Sequence, residues 1–381
     1  MRIPWASPLV GDEELAETVD AVRSGWLSMG KRVRTLEERM AEIVGRKHGV
    51  AVSNGTVALD LALKALRIAP DDEVIVPAMT YIATVNAVLY QGATPIFADL
   101  EPHTFNVDPM DVRQKITPRT RAVLVIDYGG NPCDHAALEE ICAEHGLLLI
   151  LDGAQSLGGS FRGKPLCQFG TISTASFHIA KTITTVEGGI IFTDDAGTAD
   201  KLRILRNQGE DPNHKYQHIM LGYNARLSDL HAAIGLGQMA KLEGIWKRRG
   251  ETAEQYREAL QDVEGIRIPK TRDTCFSDCR RSSGCCQNAW FLYPILVDRR
   301  DDVAAVLRKK GVDTRICYPM PIYRQPFVSR LFPRSPEDDC PVAEDLTRRV
   351  LNLPMYYDLS TAEVRYVADE LEHALYETRV V

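Results

Sequence analysis

Residues 73–100, EVIVPAMTYIATVNAVLYQGATPIFADL, hold a short apolar run, a helical stretch from Tyr81 to Tyr90 and a second apolar run. Apolar runs of strand length alternating with helical segments are βα units, whose strands lie side by side in a mostly parallel, two-side-buried sheet. The same alternation extends in both directions. Downstream, a helical segment ends near Ile116, AVLVID (122–127) leads into the Gly129-Gly130-Asn131-Pro132 turn, and a helix buries Leu138, Ile141 and Cys142 before LLLILD (147–152). Further on, GGIIFTDD reads as a strand, TADKLRILRNQG as a helix, and GYNARLSDLHAAIGLGQMAKLEG as a turn followed by one long helix. Upstream, HGVAVSNG is a strand that runs into a helix starting at Thr56. Amphipathic segments at Gly11–Ser24 and Lys31–Arg46 precede it, separated by Gly25-Trp26-Leu27.

From about Trp246 the strict alternation stops. A charged helix through Leu260, the apolar stretch WFLYPILV, a helix near Val303–Leu307 and a closing helix behind Ser360-Thr361-Ala362-Glu363 remain. Serine followed three residues later by glutamate is a capping box, and Val364, Val367 and Leu371 form the stripe behind it. The expected fold is therefore α/β. A large, mostly parallel sheet domain with its N-terminal helical segment covers residues 1–245, and a smaller α+β domain covers 246–381.

Composition narrows the function. Apolar residues at 45% and charged residues at 25% are those of an ordinary globular protein, so neither a disordered nor a fibrous chain is expected. A formal charge of −7 gives no bulk attraction for nucleic acid, leaving small anions to be bound by local sites. MRIPWASPLVGDEE lacks the basic and apolar regions of a secretory signal, and no stretch is long enough to span a bilayer. A cytoplasmic protein without a membrane partner is the expectation. Among nine cysteines, Cys275, Cys279, Cys285 and Cys286 cluster in the polar stretch TCFSDCRRSSGCCQN. Four thiolates can ligate a metal, but adjacent cysteines and a C-x3-C spacing fit no standard ligand pattern, so no metal is assigned. His214 and His218 in HKYQH are polar and isolated and are likewise not read as a metal pair.

Three features carry chemistry. Lys181, in SFHIAKTITTVEGG (176–189), is a lone lysine among small and hydroxylated residues. It is either a solvated loop residue or an amine nucleophile whose pKa is lowered by desolvation. Asp152 ends an apolar strand, where it either caps the next turn or faces the ligand crevice that open α/β sheets form at their carboxyl ends. Asn54-Gly55-Thr56 joins a strand to a helix N-terminus, whose free N–H groups can cradle a phosphate.

Seven blocks in order, SGWLSMG, SNGTVAL, EVIVPAMTYIATVNAVLYQGATPIFADL, LDGAQSLGG, SFHIAKTITTVEGG, GYNARLSDLHAAIGL and YPMPIY, resemble the DegT-type pyridoxal-phosphate-dependent sugar aminotransferases. The resemblance runs over nearly the whole chain and implies the fold-type I aminotransferase architecture with a seven-stranded-type sheet. It implies pyridoxal 5'-phosphate as cofactor, with pyridoxamine phosphate as its aminated form. Lys181 is implied as covalent anchor and acid/base, Asp152 as partner of the pyridinium nitrogen, Gln155 as donor to the ring oxygen and Tyr81 as the stacking ring. Gly55, Thr56 and Ser176 are implied as phosphate ligands, with Asn224 contributed by the neighbour in a homodimer. Arg226, Tyr318 and Tyr323 are carried over to the substrate side. L-glutamate is the implied donor and a nucleotide-linked keto-sugar the implied acceptor, as in amino-sugar biosynthesis.

The chain also departs from the family pattern. Asp127-Tyr128, Cys317 and Tyr323 stand where relatives often have histidine, and Val186 replaces a usual glycine. Two other readings remain open on the residues alone. One is transamination of a keto-cyclitol (an inosose) or another pyridoxal-phosphate sugar reaction. The other is a non-catalytic or metal-binding regulator on the same fold, which the intact Lys181, Asp152, Gln155 and Ser176 oppose.

Overall fold

The computed structural model describes residues 2–271, 286–333 and 340–379. Helices α1 (Asp12–Arg23) and α2 (Lys31–Val44) precede strand β1 (His48–Val52) and α3 (Gly55–Ala65). Then β2 (Glu73–Pro77), α4 (Ile82–Tyr90), β3 (Thr94–Ala98), α5 (Pro109–Gln114), β4 (Thr120–Ile126), α6 (His135–His145) and β5 (Leu148–Asp152) follow in alternation. A small hairpin, β6 (Ser160–Phe161) and β7 (Lys164–Pro165), leads to β8 (Ile172–Ser176), β9 (Gly189–Thr193) and α7 (Ala196–Arg206).

The seven-stranded sheet has the order β1-β9-β8-β5-β4-β2-β3. The strands β8, β5, β4, β2 and β3 are mutually parallel, and β9 runs against both its neighbours. Successive side chains of a strand point to opposite faces. Val74, Val76, Leu124 and Ile126 accordingly pack into one core and Ile75, Val123, Val125 and Leu151 into another on the other face. This two-sided burial is why the strands read as continuous apolar runs. It also brings the carboxyl ends of β1, β8, β5, β4 and β2 to one edge.

One expectation is corrected. The segment from Gly222 forms two helices, α8 (Asp229–Met239) and α9 (Leu242–Leu260), and α9 runs without interruption through Trp246. The break at Ala240–Lys241 coincides with polar anchoring to α1. Lys241 Nζ donates to Glu14 at 2.7 Å, as does Gln238 Nε2 at 2.7 Å. Helix α1 lies so close to α8 that a Cβ at Gly237 would meet Glu14 backbone atoms at 2.8 Å, a contact distance open only to glycine.

The remainder comprises β10 (Ile266–Arg267), β11 (Tyr293–Val297), α10 (Arg300–Lys309), α11 (Pro326–Leu331), α12 (Pro341–Arg349), β12 (Val350–Leu353) and α13 (Thr361–Arg379). Strands β10, β11 and β12 form an antiparallel sheet. Its core takes in Tyr256 and Leu260 of α9, Leu307 of α10, Leu371 of α13 and, from the other end of the chain, Ile3. The capping box of α13 is made as expected: Glu363 N donates to Ser360 Oγ at 3.2 Å and Ser360 N to Glu363 Oε2 at 2.8 Å. Among the described residues no helix is long and apolar enough to cross a membrane.

Candidate active site

At the carboxyl edge of the large sheet lies a cavity of about 740 Å³. Gly55, Thr56, Tyr81, Asp152, Gln155, Ser176, Lys181, Cys317 and Tyr318 all line it. Their positions follow from the topology: Asp152 is the last residue of β5, Ser176 the last of β8, and Gly55 opens α3 just beyond β1.

The Lys181 loop is closed by the β8–β9 pairing, in which Ser176 opposes Gly189. Its threonines fix the loop rather than face a ligand. Thr184 Oγ1 donates to Phe177 O at 3.0 Å and accepts from Val186 N at 2.8 Å, while Thr185 Oγ1 donates to Glu187 O at 2.8 Å. Val186 has φ +72°, so the position does require the left-handed region that a glycine would enter freely.

Lys181 is partly buried, with Nζ 4.4 Å from the centroid of the Phe291 ring. Burial lowers its pKa below that of a free lysine, opposed by the charges of Asp152 and Cys317. A lysine in that condition loses its proton more readily and becomes a nucleophile. Phe291 is itself held in place: Arg249, only 7% exposed, donates from Nη1 to Trp290 O at 2.8 Å and Phe291 O at 3.4 Å.

Asp152 is 5% exposed, and no cation lies within ion-pairing distance of it among the described residues. Thr84 Oγ1 donates to Oδ2 at 2.8 Å, and the Ala154 amide donates to Oδ1 at 3.2 Å. Thr80 Oγ1 lies 2.8 Å from Thr84 Oγ1, extending the chain of hydroxyls. Burial raises the Asp152 pKa against the pull of those donors and of Lys181. A buried carboxylate with no ion pair is stabilised by a cationic N–H brought to it, which is what a protonated pyridine nitrogen offers.

Gln155 Oε1 accepts from Gly129 N at 2.7 Å, and its Nε2 donates to Tyr318 Oη at 3.3 Å. Tyr318 in turn lies 6.2 Å from Tyr81, centroid to centroid. Asn54 caps α3 by accepting from Val57 N at 2.9 Å. A Cβ at Gly55 would sit 2.9 Å from Ser176 Cβ, so only glycine lets the helix start and Ser176 close on one another. The start of α3 and the Ser176 hydroxyl thus lie side by side, an arrangement of donors suited to an anion.

Five of the singled-out positions lie elsewhere. Asn224 is exposed, paired with Asn207 in an isolated bridge, and Arg226 Nη1 donates to Asn207 Oδ1 at 2.9 Å. Tyr323 is 2% exposed, with its hydroxyl donating to Glu344 Oε1 at 2.9 Å and its ring edge-on to Phe97. Asp127, fully buried, binds His135 Nε2 at 2.8 Å and Ser156 Oγ at 2.7 Å, and Tyr128 donates to Cys317 O. Of the positions departing from histidine, Cys317 is thus the one that lines the cavity, its thiol pushed up to about 11 by burial. Cys275, Cys279 and Cys285 lie outside the described residues. Cys286 packs beside Phe161, Leu166 and Phe169. Among the described residues no group of three His, Cys, Asp or Glu could hold a metal ion.

Thr84, Phe291, Arg249 and Trp5, the last also lining the cavity, were not singled out by sequence reasoning. Thr84, in the first turn of α4, meets the hydroxyl of Thr80 from the loop just before that helix. Phe291 and Trp5 come from distant parts of the chain and leave no local signal.

The chain is similar to known proteins over nearly its whole length. GDP-perosamine synthase of Caulobacter vibrioides is 34% identical over 380 residues, 98% of this chain and 98% of its own. UDP-2-acetamido-2-deoxy-3-oxo-D-glucuronate aminotransferase of Pseudomonas aeruginosa is 35% identical over 351 residues, 92% of each. The solved structure of DesI in the presence of its TDP-sugar product superposes with a TM-score of 0.88 at 34% identity, covering 100% of this chain and 94% of that one. A lysine amine over a buried, unpaired carboxylate and a glycine–serine anion cradle fit pyridoxal 5'-phosphate as cofactor. With residues 8–372 matching its pattern, the chain belongs to the DegT/DnrJ/EryC1/StrS aminotransferase family.

Proposed function

We propose that the protein transfers an amino group from L-glutamate to a keto-sugar carried by a nucleotide, acting as a cytoplasmic homodimer. The observation that carries this reading is the convergence of Lys181, Asp152, Gln155, Ser176 and Gly55-Thr56 on one cavity. Similarity to enzymes named for GDP-, UDP- and TDP-sugars supports the acceptor class. Asn224 is exposed and outside this chain's own cavity, a placement suited to serving a neighbouring copy.

Pyridoxal phosphate, when bound, supplies the electron sink that stabilises negative charge at the substrate carbon. Lys181 would hold the cofactor covalently through Nζ, and that same amine, the basic group set into the cavity, would carry the proton in the transfer. Asp152 keeps the ring nitrogen protonated through its negative charge, and the Thr80–Thr84 hydroxyls hold the carboxylate in position. Gln155 orients the ring oxygen, and Tyr81 covers the ring face. Gly55, Thr56 and Ser176 grip the phosphate, while Tyr318, bonded to Gln155, borders the sugar.

The test is a visible spectrum of the reconstituted protein before and after L-glutamate, followed by a screen of nucleotide-linked keto-sugars and inososes as acceptors. The pyridoxal band should fall while the pyridoxamine band rises, and Lys181→Ala should abolish turnover while the chain still folds. A spectrum indifferent to every amino acid, or near-normal turnover in Lys181→Ala, would refute the reading. Acceptance of inososes alone would move the substrate to cyclitols.

A further inference from the structure

The first residues of the chain are pinned beside the cavity on two sides. Ile3 N donates to Gly311 O at 2.8 Å, Ile3 O accepts from Asp313 N at 2.9 Å, and the Ile3 side chain is 0% exposed. Two residues on, Trp5 O accepts from Met355 N at 3.1 Å. Trp5 is thereby held partly buried, against the cavity.

Arg315 stacks on that indole, its guanidinium carbon 5.5 Å from the ring centroid. Its backbone is locked to β12 through Asn352, with N donating to Asn352 O at 3.1 Å and O accepting from Asn352 N at 2.7 Å. The side chain is exposed, and among the described residues its guanidinium has neither a carboxylate partner nor a hydrogen bond. Three other arginines of this half are engaged: Arg300 with Asp301 and Thr347, Arg324 with Glu344, Arg349 with Asp345. Arg315 is also close enough to the cavity for its charge to act on the Cys317 thiol.

Charge balance gives this pair a purpose. Among the residues lining the cavity, Lys181 is the sole lysine or arginine and is the amine committed to the chemistry, while Asp60, Asp152 and Glu187 are acidic, and His178 lies 3.8 Å from Glu187. A diphosphate brought to this mouth requires a cation that does not take part in the proton transfers. A guanidinium preorganised on an aromatic face presents a planar fork suited to phosphate oxygens, and an indole offers a stacking surface to a base.

We infer that Trp5 and Arg315 form the nucleotide end of the substrate site, with the indole packing against the base or ribose and the guanidinium binding the diphosphate. This assignment rests on the nucleotide-sugar reading above, and Trp5 and Arg315 determine specificity without touching the reacting atoms.

The experiment is calorimetric titration of the cofactor-loaded enzyme with UDP, GDP and dTDP, in wild type, Arg315→Met, Arg315→Lys and Trp5→Leu. Retained melting temperature and cofactor absorbance check that each variant is folded. At least one diphosphate should bind wild type, with affinity falling ~10-fold or more in Arg315→Met and in Trp5→Leu. Arg315→Lys should recover part of the loss, because lysine keeps the charge without the fork. Salt should weaken wild-type binding more than binding by Arg315→Met, since an exposed ion pair is screened. Binding of a diphosphate to wild type and both charge and stacking variants with equal affinity would overturn the inference and leave the nucleotide-sugar reading intact. No binding of any of the three to wild type would overturn both.

Discussion

Replacing Phe291 by leucine should make Lys181 a better nucleophile at neutral pH. The ammonium of Lys181 sits 4.4 Å from the Phe291 centroid, in a setting where burial already disfavours its charge. A cation over an aromatic face is stabilised by ~0.5–2 kcal/mol. At 1.36 kcal/mol per pKa unit, losing that face lowers the Lys181 pKa by about 0.4–1.5 units. Asp152, whose negative charge also favours the ammonium, is untouched by the substitution. The assay is the rate at which apoprotein covalently captures pyridoxal phosphate, followed by visible absorbance across a pH series and confirmed by borohydride trapping. The cofactor's own titrations are common to both proteins, so the difference in midpoint isolates Lys181. Phe291→Leu should shift the midpoint to lower pH by that amount, and Phe291→Tyr, which keeps a ring, should leave it nearly in place. An unchanged midpoint in Phe291→Leu, or one displaced to higher pH, would refute the reasoning.

Asp152→Asn should reduce turnover ~100-fold or more, because the charge opposite the ring nitrogen is lost. Its apoprotein should melt higher than wild type at alkaline pH. Burial raises the native carboxyl's pKa, so ionisation destabilises the wild-type apoprotein above that pKa, and the difference should vanish as pH falls through it. Val186→Gly, at φ +72° and 44% exposure, should stabilise the protein by ~0.5–1 kcal/mol. That is ~1–2 kcal/mol of left-handed strain relieved, less ~0.4–1 kcal/mol of glycine chain entropy; a lower denaturant midpoint would contradict it. Gly55→Ala places a Cβ 2.9 Å from Ser176 Cβ and should raise the cofactor dissociation constant ~10-fold or more, read by fluorescence titration.

The strand-terminal part of the site is legible in the sequence for a physical reason. A two-side-buried parallel strand announces itself as an apolar run, and whatever polar residue ends it must emerge at the carboxyl edge. Asp152 and the Asn54-Gly55 turn were therefore placed by pattern and topology together, whereas Ser176 rested on the family blocks. The roles of Gln155 and Tyr81 rested on the family blocks. Pattern says nothing about which distant segment covers that edge, so the contacts of Lys181 with Phe291 and of Trp5 with Arg315 left no trace in either stretch. Local direction was equally hidden. Tyr318 and Tyr323 share one short block, yet one borders the cavity and the other turns into the core toward Glu344. Asp127 looks like a companion of Asp152 by its place after β4, but His135 and Ser156 draw it out of the site. The apparent single helix after Gly222 failed because apolar periodicity does not register the turn at Ala240–Lys241.

The threading of Lys181 beneath Phe291 also sets an order of events during synthesis. When the ribosome has delivered β9, every strand of the large sheet exists, and the lysine loop can close between β8 and β9. The aromatic lid, encoded far downstream, has yet to emerge. Until the segment carrying Phe291 docks, the lysine lacks both that ring's attraction for its ammonium and the share of burial that the same segment brings. Because domains tend to fold from the N-terminus as they are made, a chain stalled before Phe291 holds every strand of the large sheet but not the ring that stands against Lys181.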